Sequence, residues 1–261
     1  MAEITVADLQ KLLGRDHLHI SEALKRLSPV VLRDLAASAH IRTVSEGDVI
    51  ESDGVMGSMI GYVLDGAIGM LKPLPDGRTH IVGLLLPTDL FGRLTAGVGF
   101  HRIVALAKSR ILFFDRDVFD ALLFAHPDLE RMFLISVLDE LDAARDWVLI
   151  FSSTSVLQRA AAFLVILARR CMESHTINQR GPIAVTLPVS RKHVADCLSV
   201  RQESLSRALH ALAELGLVQI ITPMIFQIND LAALVDVSNQ DQLYANSVKH
   251  RHDFNAHARE L

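Results

Sequence analysis

LPVSRKHVADCLSVRQESLSRALHALAELGLV, running from Leu187 to Val218, is the stretch whose reading decides the fold. It reads as two short helices joined by a turn and closed by Gly216. In the second helix Leu205, Leu209 and Leu212 stand at i, i+4 and i+7, which makes one buried stripe. Gln202, Glu203, Ser206, Arg207 and His210 then project from other faces. An arginine offers two parallel donors that match guanine O6 and N7, and a carboxylate accepts from cytosine N4. Glu203 and Arg207, four residues apart, stack one turn from each other and can face adjacent base pairs in a major groove. Taken alone, the two residues read more plainly as an i,i+4 salt pair on a surface helix.

The residues that follow favour the first reading. Gly216, Leu217 and Val218 end the helix and open a strand-like segment, GLVQIITPMIFQI, with a turn at Thr222 and Pro223. Helix, turn, helix and hairpin make a winged helix-turn-helix. The run LPVSRKHVADCLSVRQESLSR resembles the DNA-binding helices of the CRP/FNR family of bacterial transcription regulators. Glu203-Ser204-Leu205-Ser206-Arg207 matches the FNR-type signature E-[ST]-[hydrophobic]-S-R. The resemblance implies a dimeric activator on an inverted repeat of TTGA-type half-sites, with double-stranded DNA, RNA polymerase and a second copy of the chain as partners. It implies base reading by Glu203, Ser206, Arg207 and Gln202. Arg191, Lys192 and Arg201 supply the local basic face that phosphates require.

Two positions depart from the family. Arg201 stands where members usually carry a helix-capping Ser or Thr, so Ser199 is expected to cap, with Gln202 completing a capping box. Gln202 stands where CRP-type members have Arg and FNR-type members an apolar residue.

Outward from this stretch, the 261 residues are enough for two domains. A net charge of −4 argues against a protein that coats nucleic acid, but a regulator needs only a local basic face. Two cysteines, Cys171 and Cys197, cannot hold an iron–sulfur cluster alone and do not suggest a disulfide scaffold. Both read as small core residues. The N-terminus MAEITVADLQKLLG lacks the basic start and apolar run of a signal peptide, and runs such as FLVILA from Phe163 are too short to span a bilayer. A cytoplasmic protein with no membrane partner is the expectation. With no nucleophile–base motif, P-loop, dinucleotide fingerprint or zinc signature, no enzyme is expected.

Val6 to Leu13 and Val30 to Ala39 carry helical spacing, with Ser28-Pro29 as a start signal. Between them lie His17 and His19, which share a face only if the segment is extended; they read as surface histidines rather than metal or haem ligands. FNR-type relatives often hold an iron–sulfur cysteine cluster in this region. No cysteine precedes Cys171 here, so the resemblance stops short of that cofactor. It is to a branch of FnrL/FixK type, which the segment DELDAARDW also resembles.

From Ile41 to Phe114, short apolar runs (IGYVL, AIGML, HIVGLLL, RILFF) alternate with turns at Gly47, Gly54, Gly66 and Gly77. Many short strands with glycine turns suggest a barrel or sandwich. The segment resembles the cyclic-nucleotide-binding β-roll, with Glu46-Gly47-Asp48, Leu64-Asp65-Gly66, Asp76-Gly77-Arg78 and Phe91-Gly92 in the family's places. Cyclic-AMP binders follow Phe-Gly with a ribose-holding Glu and later carry an Arg-Ser pair for the phosphate. Here Arg93 follows Phe91-Gly92, and Arg102 precedes Ile103 rather than Ser. A fold does not carry its ligand with it. The roll is therefore expected to take another effector or none, and a cyclic-nucleotide- or haem-responsive regulatory protein is the alternative reading.

Asp117 to His126 reads as a short helix and Pro127 to Ile150 as a long one. Leu134, Leu138, Leu141 and Val148 keep a 3/4 spacing interrupted by Arg145, and Met132, Phe133, Val137 and Trp147 lie beside that seam. A helix apolar on two sides must bury both, one on the roll and one against the same helix of a second chain. A helix buried on all sides inside a monomer is the competing reading. Ser152 to Ser155 breaks the pattern as a hinge, Val156 to Cys171 is a buried helix, and the tail with His250, His252 and His257 is polar and solvated. The fold class is α+β. N-terminal helices and a β-roll occupy 1–126, a dimerisation helix 127–151, a winged helix-turn-helix 152–237 and a polar tail 238–261.

Overall fold

The computed structural model describes residues 4–14, 24–73, 79–94, 98–174 and 181–238. His17, His19, the turn Asp76-Gly77-Arg78 and the tail histidines lie outside the described residues. The chain forms two compact units. One is Met1–Ala144 with Met172–Thr176 and Pro188–Ser199; the other is Arg145–Cys171 with Ile177–Leu187 and Val200–Leu261.

The first unit opens with α1 (Val6–Gly14) and α2 (Pro29–Ser38). Thr5 Oγ1 accepts from Asp8 N–H (3.1 Å), and Asp8 accepts in return from Thr5 N–H (3.2 Å). Ser28 caps α2 by accepting from Val31 N–H (3.3 Å), with Pro29 at the first helical position, where its missing N–H costs nothing.

Eight strands follow: β1 (His40–Val44), β2 (Val49–Glu51), β3 (Met59–Asp65), β4 (Ile68–Pro73), β5 (Thr79–Leu85), β6 (Leu90–Gly92), β7 (Arg102–Ala105) and β8 (Ser109–Asp115). They form two antiparallel four-stranded sheets, ordered β1-β8-β3-β6 and β2-β7-β4-β5. This is the roll that the glycine-punctuated apolar runs predict. Val44, Ile50, Val63, Ile68, Leu85, Phe91, Ile103, Ala105 and Ile111 fill its interior.

Two glycines make its corners. Gly66 has φ +85°, and a Cβ there would collide with Ser109 Oγ, which accepts from Ala67 N–H (3.0 Å). Gly92 has φ +105°, and a Cβ there would run into the Met59 carbonyl. Only glycine tolerates such close backbone approach at positive φ.

α3 (Arg116–Ala125) and α4 (Pro127–Ser152) leave the roll. A second core joins them to α1 and α2: Leu129, Met132 and Phe133 of α4 pack with Leu35, Tyr62, Leu112, Phe114 and Phe119. Phe119 meets Phe133 edge-on at 5.3 Å and Phe114 tilted at 5.0 Å, geometries that aromatic pairs prefer. Tyr62 is buried against Ser136 of α4, and burial pushes its phenol up to about 12.

The second unit holds α5 (Val156–Ser174), which is buried along Ala160 to Ala168. A capping box separates α5 from α4: Ser155 Oγ accepts from Gln158 N–H (3.2 Å), and Gln158 Oε1 accepts from Ser155 N–H (3.1 Å). This is the physical reason the apolar pattern breaks at Ser152 to Ser155. Trp147 packs tilted against Phe163 at 6.1 Å. A three-stranded antiparallel sheet, ordered β10-β11-β9, joins β9 (Ile183–Thr186), β10 (Val218–Ile220) and β11 (Ile225–Ile228). α8 (Leu231–Ser238) closes the described chain.

Candidate nucleic-acid interface

α6 (Arg191–Cys197) and α7 (Gln202–Glu214) are the two helices of the deciding stretch. Ser190 caps α6 by accepting from His193 N–H (3.3 Å). The helix ends at Leu198, and Ser199 turns the chain with a left-handed φ of +54°. α7 then buries Leu205, Ala208, Leu209 and Leu212, the stripe its spacing predicts. Its end follows from Gly216, at φ +74°, whose carbonyl accepts from Asn229 Nδ2 (3.0 Å). The hairpin β10–β11 follows, its turn tied by Thr222 Oγ1, which accepts from Met224 N–H (3.2 Å) and Ile225 N–H (3.0 Å). This is the wing.

The expected capping box at the start of α7 is not formed. Arg201 is the N-cap residue, in extended conformation (φ −77°, ψ 144°), and its side chain makes no capping bond. Ser199 lies two residues too early, and its left-handed backbone serves the turn, so its hydroxyl is not at the cap. Gln202 is the first helical residue, not the third, and is out of place to close a box. The first turn of α7 therefore receives no acceptor from its cap side chain.

Arg201, Gln202, Glu203, Arg207 and His210 are exposed, and Ser206 is half-buried. The Arg207 guanidinium lies 3.5 Å from Ser204 Oγ, and His210 Nδ1 is 2.8 Å from the Ser206 carbonyl. Among the described residues no ion pair joins Glu203 to Arg207, so the plain salt-pair reading does not describe this helix. Ser204, quoted in the signature but given no role of its own there, stands within reach of the arginine from the i−3 position. On α6, Lys192 is exposed and Arg191 half-buried. Cys197 is 2% exposed, and burial first, then Asp196, pushes its thiol up to about 12, which keeps it protonated and inert. Cys171 is half-buried, and burial raises its thiol as well.

Among the described residues, the apolar seam of α4 is exposed. Leu134 is 57% exposed, Leu138 52%, Leu141 46% and Val148 66%. Val137 and Phe151 are exposed with them; Phe151 was missed, although it lies three residues past Val148. The helix is thus not buried on all sides.

In the roll, Phe91 is buried and Gly92 turns the chain, while the Arg93 guanidinium stacks over the Phe100 ring at 5.2 Å. Ile103, standing where a phosphate-holding Ser is expected, is buried in the roll core opposite Met70.

Residues 41–126 match the cyclic nucleotide-binding domain family, and residues 158–237 match the Crp-like helix-turn-helix domain family. A probable transcriptional activator of Rhizobium leguminosarum bv. viciae is 31% identical over 74% of this chain and 79% of its own length. The chain belongs to the CRP/FNR family of transcription regulators. Another CRP/FNR relative, the transcriptional activator protein FnrL of Cereibacter sphaeroides, is 28% identical over 80% of this chain and 85% of its own. The structure of FixK2 from Bradyrhizobium japonicum superposes with a TM-score of 0.66 at 23% identity, over 76% of this chain and 96% of that one. The fold is thus the CRP/FNR fold: a cyclic-nucleotide-binding-type roll followed by a C-terminal helix-turn-helix. Among the described residues, no helix is long and apolar enough to cross a membrane.

Proposed function

We propose that the protein is a cytoplasmic, dimeric transcription activator that binds an FNR-type inverted repeat through α7. The observation that carries this reading is the exposed polar face of α7. Glu203 and Arg207 stand one turn apart, each free of the other, over a fully buried leucine stripe. A buried stripe fixes the helix while an unpaired arginine and glutamate remain to meet base edges, Arg207 a guanine and Glu203 a cytosine amino group. Gln202 and Ser206 support neighbouring bases. Arg201 holds phosphate, and the first turn of α7, lacking a capping hydroxyl, directs N–H groups at the same anion. Arg191 and Lys192 of α6 add backbone contacts.

Dimerisation supplies the second half-site. The exposed Leu134, Leu138, Leu141 and Val148 recur at coiled-coil spacing, the pattern of a parallel seam. The domains are a sensor-type unit at 1–126, the dimer helix at 127–151 and the DNA-binding unit at 152–237, and RNA polymerase is the recruited partner. The relatives named as transcriptional activators support this reading. Its test is a gel shift comparing a TTGAT–ATCAA palindrome with a scrambled duplex at fixed salt. A shift specific to the palindrome is expected; equal binding to both would overturn the reading.

A further inference from the structure

His210 continues the polar stripe of α7. Glu203, Arg207 and His210 stand at i, i+4 and i+7, so they share one side of the helix, and all three are exposed. The helix itself orients the His210 ring, whose Nδ1 lies 2.8 Å from the Ser206 carbonyl one turn back. A carbonyl only accepts, so Nδ1 carries the hydrogen. Nε2 is then the outward atom, an acceptor when the imidazole is neutral and a donor when it is charged. Among the described residues His210 makes no ion pair.

Positive charge is scarce beyond this point. Arg207 is the last arginine or lysine before Lys249, and His210 is the only histidine between them. The other ionisable side chains from 208 to 238 are Glu214, Asp230 and Asp236. The strands of the wing, β10 and β11, therefore offer no cation to a phosphate. The charged groups that face His210 are those of α7, Arg207 one turn before it and Glu214 one turn after. β10, which packs on α7, carries no titratable side chain. A neutral ring leaves this end of the face without positive charge against a polyanion, and a protonated ring supplies one. Phosphates stabilise the imidazolium and not the neutral ring, so DNA binding and proton uptake favour each other.

We propose that His210 is a proton-linked phosphate contact. As imidazolium its Nε2–H donates to an oxygen of the operator backbone, and each half-site binds with uptake of a proton. The charged form binds more tightly, so affinity is gained as pH falls through the histidine range and lost as pH rises through it. This inference rests on the DNA reading of α7 and adds its regulation.

The test is fluorescence anisotropy on the labelled TTGAT–ATCAA palindrome, at constant ionic strength, at about pH 6 and about pH 8. The proteins are the unaltered chain, His210→Gln and His210→Arg. His210 is exposed, and circular dichroism verifies that the variants fold. Comparison at the same pH cancels the contribution of other imidazoles, His193 of α6 among them. At the lower pH the unaltered protein should bind roughly fivefold or more tightly than His210→Gln, and at the higher pH the two should nearly match. His210→Arg should bind more tightly than His210→Gln at both. At the lower pH the slope of log K against log salt should be steeper for the unaltered protein than for His210→Gln by about one per half-site, with base preferences alike. An equal response to pH in the unaltered protein and His210→Gln would overturn the proposal, while a palindrome still preferred over scrambled duplex would leave the DNA assignment standing. A base preference that changes with pH in the unaltered protein alone would also overturn it, since His210 would then read a base. A palindrome bound no better than scrambled duplex at either pH would overturn the DNA assignment and this inference with it.

Discussion

Helices α4 and α7 both leave a face open, and the two faces are opposite in kind. α4 packs Met132 and Phe133 inward and exposes Leu134, Leu138, Leu141 and Val148. α7 packs Leu205, Leu209 and Leu212 inward and exposes Gln202, Glu203 and Arg207. An exposed apolar stripe costs free energy until another apolar stripe covers it, roughly 25 cal/mol per Å². An identical helix is the partner always present. An exposed polar face costs nothing in water and selects a partner by the geometry of its donors. Under the proposed function, the first face meets its own copy and the second a pattern of base edges.

The sharpest way to break that comparison is to make α4 polar. Leu138→Glu places two carboxylates at the two-fold seam with no counter-charge, at a cost of several kcal/mol. The variant should sediment as a monomer and lose operator affinity by about a hundredfold or more, since each chain reads only half a site. A dimer that still binds would show that α4 is not the seam. A smaller effect is expected from α7: Arg207→Ala should cost about 1–3 kcal/mol per half-site, measured by fluorescence anisotropy on a labelled palindrome. Smaller still is Arg201→Ala, which should weaken binding to all sequences about equally and reduce the slope of log K against log salt by about one per contact. Cyclic AMP should have no effect. Arg93 and Ile103 stand where a ribose acceptor and a phosphate-holding hydroxyl are needed, so added nucleotide should leave the binding curve unmoved; tightening by the nucleotide would contradict this reading of the roll.

How much of this was legible in the sequence depended on the range of the interaction. The leucine stripe of α7, the Ser28-Pro29 start of α2 and the glycine-punctuated strands of the roll are local signals, and each lies where the spacing placed it. The cap of α7 was misread because it depends on the backbone of Ser199, which the turn rotates into the left-handed region; no side-chain pattern announces that. The link between Tyr62 and Ser136 joins a strand of the roll to a distant helix. Only tertiary packing brings the two together, so the sequence offered no signal for it. Phe151 was a different kind of miss, since it lies at the end of the expected dimerisation helix 127–151 and its spacing from Val148 was readable but not followed.

The central claim is that α7 reads bases while Arg201 beside it reads only phosphate. Its most direct test is a panel of single-base variants of the TTGAT–ATCAA palindrome, titrated at two salt concentrations with the unaltered protein, Arg207→Ala and Arg201→Ala. The account predicts that Arg207→Ala flattens the preference at the guanine alone, while Arg201→Ala lowers affinity evenly and changes only the salt slope. Base preferences that persist in Arg207→Ala but shift in Arg201→Ala would contradict it, and so would variants that bind every operator as tightly as the unaltered protein.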